Sequence, residues 1–125
     1  MLGDAEAAAV LPVKDLDAAK KFYEETLGLK KENESPGGVT YRSGNSHVFI
    51  YPTQYAGTNQ ATAIGWVIED VAGAAETLKA KGVMLEHYDL PGVTREGDVH
   101  IMGDLKAIWF KDPDGNILNV VNQMG

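Results

Sequence analysis

Leu11-Pro-Val-Lys-Asp15-Leu-Asp-Ala-Ala19 and Gly65-Trp-Val-Ile-Glu-Asp70-Val-Ala-Gly-Ala74 carry one pattern twice, with Asp70 following Asp15 by 55 positions. In each, a short apolar stretch leads to an Asp and then to a run with helical spacing. An Asp where a strand hands over to a helix is a good N-cap, because its carboxylate accepts backbone N–H groups that the first helical turn leaves without partners. The apolar residues that follow keep a helical period: Leu16, Ala19, Phe22, Tyr23 and Leu27 in the first copy, Val71, Ala74, Ala75 and Leu78 in the second. Gly28 and Gly82 then punctuate, as glycines just past a helix end do.

Strand-like segments follow each helix. In the first half they are Leu29 to Glu32, Val39 to Arg42 and Ser46 to Pro52, with Gly37-Gly38 and Gly44-Asn45 as turns. In the second half they are Val83 to Tyr88, Ala107 to Phe110 and Ile117 to Asn122, the last preceded by the dense turn cluster Asp112-Pro-Asp-Gly-Asn116. Gly44-Asn45 corresponds to Gly115-Asn116 at an offset of 71, so the second half holds 16 extra residues, placed in a long loop from Asp89 to Asp104. Each half therefore reads as strand–helix–strand–strand–strand, with Thr53 to Thr62 linking them. A ferredoxin-like α+β domain would put one strand, not three, after its first helix.

Composition narrows the possible work of such a domain. The 125 residues include 44% hydrophobic and 23% charged side chains, ordinary globular usage. The chain has no cysteine, which removes disulfides, thiolate metal sites and thiol nucleophiles. A net charge of −7, with no basic run longer than two residues, argues against a nucleic-acid partner. The longest apolar run, Ala7 to Val13, is broken by Pro12 and far short of the ~20 residues that span a bilayer, so no membrane partner is expected. Met1-Leu2-Gly3-Asp4 lacks the positive charge of a secretory leader, and a cytoplasmic location is the expectation.

Val10-Leu-Pro-Val-Lys-Asp-Leu-Asp-Ala-Ala-Lys-Lys-Phe-Tyr23 with Leu27-Gly-Leu29 resembles the opening of the vicinal oxygen chelate superfamily. Trp109-Phe-Lys-Asp-Pro-Asp-Gly-Asn-Ile-Leu118 is similar to its closing signature. That superfamily includes glyoxalases, extradiol dioxygenases, fosfomycin-modifying transferases and bleomycin-binding resistance proteins. The resemblance implies an α+β fold of two βαβββ modules whose mixed sheet forms an open cup around a ligand site. One domain is expected over residues 1–125, with module one at about 7–52, a linker at 53–62 and module two at about 63–122.

The resemblance also implies where metal-dependent relatives carry His or Glu ligands. Those positions here are Ala8, Val48, Ala63 and Asn119. Methyl groups donate no electron pair, and a neutral amide oxygen is a weak ligand without anionic company. No metal and no other cofactor is expected. Asn119 is then a candidate to hydrogen-bond a polar ligand from the cup floor, or a strand Asn bonded to a neighbour. Trp109, opposite in face to Phe110, is a candidate aromatic wall or a core Trp, while Trp66 should face the helix.

The chain carries three histidines, His47, His87 and His100. With Val48 pointing inward, alternation turns His47 away from the cup. His87, in Glu86-His-Tyr-Asp89, reads as a polar strand end, a tuned base, or a third of a metal site with Glu86 and Asp89, although alternation keeps Glu86 and His87 from converging; the polar strand end is favoured. His100 reads as a solvated residue of the long loop, which is itself a candidate lid. Tyr88 either rims the mouth or anchors a loop. The candidate ligand-binding set is Asn119, Trp109, Val48, Ala63, Tyr88 and His87. Two functions stand open: a metal-independent small-molecule-binding module, and a glyoxalase-, isomerase- or dioxygenase-like enzyme with a relocated site. The missing ligands favour the first. A homodimer is expected, since a small open sheet leaves edge and apolar surface for a second copy to cover.

Overall fold

The computed structural model describes residues 1–124, and its chain divides into two compact units. The first comprises Met1–Thr58 with Pro113–Asn116, and the second Asn59–Asp112 with the chain from Ile117.

In the first unit, β1 (Ala8–Val13), β2 (Lys30–Ser35), β3 (Gly38–Ser43) and β4 (Ser46–Pro52) form a sheet of order β1-β4-β3-β2. β1 lies parallel to β4, and the other pairs are antiparallel. Helix α1 (Leu16–Lys21) begins where Asp15 accepts the N–H of Ala18 at 3.1 Å, a cap worth about 1 kcal/mol. It widens into a π-helical turn over Phe22–Thr26 and ends at Gly28, whose φ of 75° suits a residue without a Cβ. Ala19 and Tyr23 pack beneath the sheet with Leu11, Val13, Val39, Tyr41, Val48 and Ile50, all buried. The Tyr41 hydroxyl reaches through this core to donate to Glu24 at 2.8 Å.

The turn Pro113–Asn116 belongs to this unit because its polar groups close on β1. Asp114 accepts the N–H of Lys14 at 2.9 Å, and the buried Asn116 amide donates to the Pro12 carbonyl at 2.8 Å. Gly57, at φ 77°, passes so near the Asp114 carbonyl that a Cβ there would collide with backbone.

The second unit repeats the arrangement with β5 (Thr62–Val67), α2 (Val71–Ala80), β6 (Leu85–Glu86), β9 (Leu105–Lys111) and β10 (Ile117–Val121). Asp70 caps α2 by accepting the Gly73 N–H at 2.9 Å. Val71, Ala75 and Leu78 face a core of Leu85, Ile108, Phe110, Leu118 and Val120. β5 pairs parallel with β10, which pairs antiparallel with β9.

The stretch from Asp89 to Asp104, expected to be a loop, instead contains the hairpin β7 (Thr94–Glu96) and β8 (Val99–Met102). β6 is only two residues long and covers one end of β9; β8 pairs with the other end, through His100↔Ala107 to Met102↔Leu105. The inserted residues thus complete an edge that the short β6 leaves open. Among the described residues, no helix is long and apolar enough to cross a membrane.

Candidate functional site

Strand alternation gives each sheet one face against its helix and one open face. On β10 and β9 of the second unit, Leu118, Val120, Ile108 and Phe110 turn to the helix, so Asn119 and Trp109 turn away. The two are direct register partners and both are half-buried. On the other side Asn119 pairs with Gly65 of β5, whose missing Cβ leaves room for the carboxamide. Trp66, the next residue, pairs with buried Val120 and shares its helix-facing side. Both tryptophans thus take the faces read from alternation.

Trp109 does not stand alone. Its indole N–H donates to the Thr62 hydroxyl at 3.1 Å, and its ring meets Tyr88 edge-on at 5.5 Å and His100 edge-on at 4.8 Å between centroids. Tyr88 sits on the irregular segment after β6, and its phenol is pushed above the usual tyrosine value of 10.0 by burial and then by nearby Glu86. It remains a hydrogen-bond donor at neutral pH.

His100 corrects its sequence reading. It is not a solvated loop residue but is 2% exposed, because β8 places its ring on the face that Ala107 and Trp109 share. Its Nε2 accepts the backbone N–H of Tyr88 at 2.9 Å.

His87 and Ala63 contribute less. His87 is exposed and bonded through Nε2 to Asp98 at 2.7 Å, and Asp98 also meets Lys79 at 3.1 Å. Those two partners, the His87 hydrogen bond first, hold the Asp98 carboxyl below its usual range. The cluster ties the turn of the β7–β8 hairpin to α2. Ala63 lies at a bulge where the register jumps from Ile117↔Thr62 to Leu118↔Ile64, so it is the extra residue of an exposed edge strand.

In the first unit the expectation for Val48 fails. Val48 is 1% exposed and packs toward α1, while His47 takes the open face opposite Ala8 and Arg42. The physical reason is turn length. Gly44-Asn45 is a two-residue connection between paired Ser43 and Ser46, whereas five residues separate paired Lys111 and Ile117. Counting both strands from the Gly-Asn dipeptide slips the register by one, and one residue reverses every side chain. His47 Nε2 lies 3.0 Å from Glu32, and Phe49 and Tyr51 stack farther along the same face at 6.3 Å.

The residues at the positions where the resemblance implies metal ligands do not fit a divalent ion. Ala8 and Ala63 offer methyl groups, Val48 points to the core, and Asn119 offers only a neutral amide. Among the described residues no three His, Asp or Glu side chains gather as a metal group.

Comparison with known proteins agrees with this architecture. Residues 7–120 match the family model described as the Glyoxalase/Bleomycin resistance protein/Dioxygenase superfamily. A lactoylglutathione lyase from Agrobacterium tumefaciens is similar over 94% of this chain and 92% of its own, with 20% identity and a TM-score of 0.70. The fosfomycin resistance protein FosX from Listeria monocytogenes, solved with Mn(II) and sulfate, is similar over 97% and 91%, with 18% identity and a TM-score of 0.73. An integron cassette protein from a Halifax Harbour sewage outfall metagenome is similar over 96% and 99%, with 17% identity and a TM-score of 0.70. At these identities the likeness is one of fold.

Proposed function

The chain belongs to the Glyoxalase/Bleomycin resistance protein/Dioxygenase superfamily, and from that premise we propose that it binds a small molecule without a metal. The ligand lies on the open face of the second unit's sheet, against Trp109 and under the Asn119 amide. The observation that carries this reading is the register pair Asn119↔Trp109 on one open face. It sets an oriented neutral amide beside an aromatic plane where metal-dependent relatives would need a charged ligand. An amide and an indole suit a flat molecule with a polar edge. Fold alone does not name it, because this superfamily hosts several chemistries.

A thermal-shift screen of metabolites and antibiotics tests the reading, since a ligand of the folded state raises the melting temperature. Asn119→Leu is expected to weaken the binding of a hit by about 1–3 kcal/mol while leaving the fold intact, because the ligand's buried polar group loses its partner. Equal binding to that variant places the site elsewhere.

One observation favours an enzymatic reading instead. His47, half-buried on the open face of the first unit, pairs with the exposed Glu32, the form of a carboxylate-oriented general base. Turnover that is lost in His47→Gln would establish it. The protein is also proposed to form a homodimer, supported by exposed Val10 on edge strand β1 and exposed Val67 on edge strand β5.

A further inference from the structure

The Tyr88 hydroxyl and His100 Nδ1 are both buried, and neither has a hydrogen-bond partner. Native proteins seldom leave such groups unmet, and each one is costly. The two belong to one cluster, their ring centroids 6.1 Å apart and both packed on Trp109. Because Nε2 of His100 accepts a backbone N–H, the hydrogen of the neutral ring resides on Nδ1. The orphan nitrogen is therefore a donor, and the orphan phenol can donate as well.

Two unmet donors beside an indole call for an acceptor oxygen. The charge of that oxygen follows from the surroundings. Glu86 and Lys111 on this face pair with one another at 3.5 Å, and the chain carries a net charge of −7. A carboxylate placed here would give up its hydration to two neutral donors, with no free cation beside it among the described residues, a costly transfer. A carbonyl oxygen meets the same donors with far less to lose.

Resting on the reading of this face as the ligand face, we propose that His100 and Tyr88 together hold the carbonyl oxygen of a neutral, flat molecule lying beside Trp109. Tyr88 stands on irregular chain between β6 and β7 rather than in a ladder, where its side chain has room to shift and admit the molecule before closing its hydroxyl on the oxygen. Substrate class thus narrows to uncharged planar carbonyl compounds, such as aromatic amides, ketones or quinones.

Benzamide and benzoate, alike in shape and different in charge, test this when titrated into the full chain. Trp109 fluorescence is followed with Trp66→Phe as the background. Benzamide is expected to quench Trp109 and to bind at least about tenfold more tightly than benzoate. Tyr88→Phe is expected to weaken benzamide about tenfold, the loss of one hydrogen bond, while raising the melting temperature of the free protein by removing an unmet hydroxyl. In the unaltered protein, nitrogen NMR of the His100 ring is expected to show the hydrogen on Nδ1 and a shift of that nitrogen with benzamide. No benzamide binding, preference for benzoate, or undiminished binding by Tyr88→Phe with a still Nδ1 signal overturns the proposal. Loss on Asn119→Leu without loss on Tyr88→Phe overturns the two-donor site and keeps the ligand face. The reverse pattern keeps the two-donor site and removes Asn119 from it.

Discussion

Asn119 lays its carboxamide oxygen over the α-carbon of Gly65, its register partner across the β10–β5 ladder, so close that a Cβ on Gly65 would occupy the same space. Gly65 is not in a left-handed conformation, so its requirement is steric. Gly65→Ala is therefore expected to turn the amide aside while changing stability by no more than about 1 kcal/mol, since only the end of a side chain must move. Ligand affinity should fall as in Asn119→Leu. Parallel denaturant melts and ligand titrations of the two variants check this; a large loss of stability with unchanged binding contradicts it.

Gly57 presents the opposite case. Its φ is 77°, and a Cβ there would meet the carbonyl of Asp114, which is backbone and cannot swing away. Gly57→Ala is expected to cost about 1–3 kcal/mol in urea unfolding, through strain at a left-handed position and displacement of the Asp114–Asn116 turn. Stability equal to the parent's would show that the turn moves freely.

Tyr41 links the core of the first unit to alkaline stability. Burial, then the hydrogen bond to Glu24, raises its phenol well above the usual 10.0. A raised value in the folded state contributes stability that is whole below pH 10.0 and is lost as pH rises through the folded value. Stability is expected to decline above about pH 10, and Tyr41→Phe should flatten that decline while losing the bond to Glu24. Melting temperatures from pH 8 to 11 decide it; identical slopes for parent and variant would exclude Tyr41 as the cause.

Asp98 acts at the other end of the scale. His87 and Lys79 hold its carboxyl below the usual 3.8, so its contribution is present above that value and lost as pH falls through the lower folded one. Hydrogen-exchange protection across Thr94–Met102, taken relative to intrinsic rates, is expected to fall below about pH 4 in the parent. In Asp98→Asn it should already be low at pH 7. Protection that is independent of both changes would mean that the ladder to β9 alone holds the hairpin.

Much of this fold was legible because its signals are local. Asp15 and Asp70 announce their helices by a chemistry that needs no tertiary context, and both make the expected cap. The face of Trp109 is legible because alternation from Phe110 needs no register count, whereas that of Asn119 rests on the resemblance of the closing strand; the two are register partners. Val48 was misplaced because its face depended on comparing two hairpins of different turn length. His100 was missed for a longer-range reason. A strand of four residues in a Gly- and Asp-rich insertion has no periodic signature, and its burial comes from pairing with β9. The alternation Val99, His100, Ile101 was the one available hint. The composition of Asp112–Asn116 announces a turn, but its hold on Pro12 and Lys14, about a hundred positions away, lies beyond any local pattern.

The central claim is a metal-free ligand site on the Asn119–Trp109 face, and one measurement addresses it most directly. The most stabilising compound from the metabolite and antibiotic panel is titrated into the parent and into Asn119→Leu, each with and without excess chelator, while elemental analysis records bound metal. The expected result is no stoichiometric metal, a ligand-induced rise in melting temperature that the chelator leaves unchanged, and loss of most of that rise in Asn119→Leu. Near-unit occupancy by a divalent metal, with a rise that the chelator abolishes and Asn119→Leu preserves, would contradict the account.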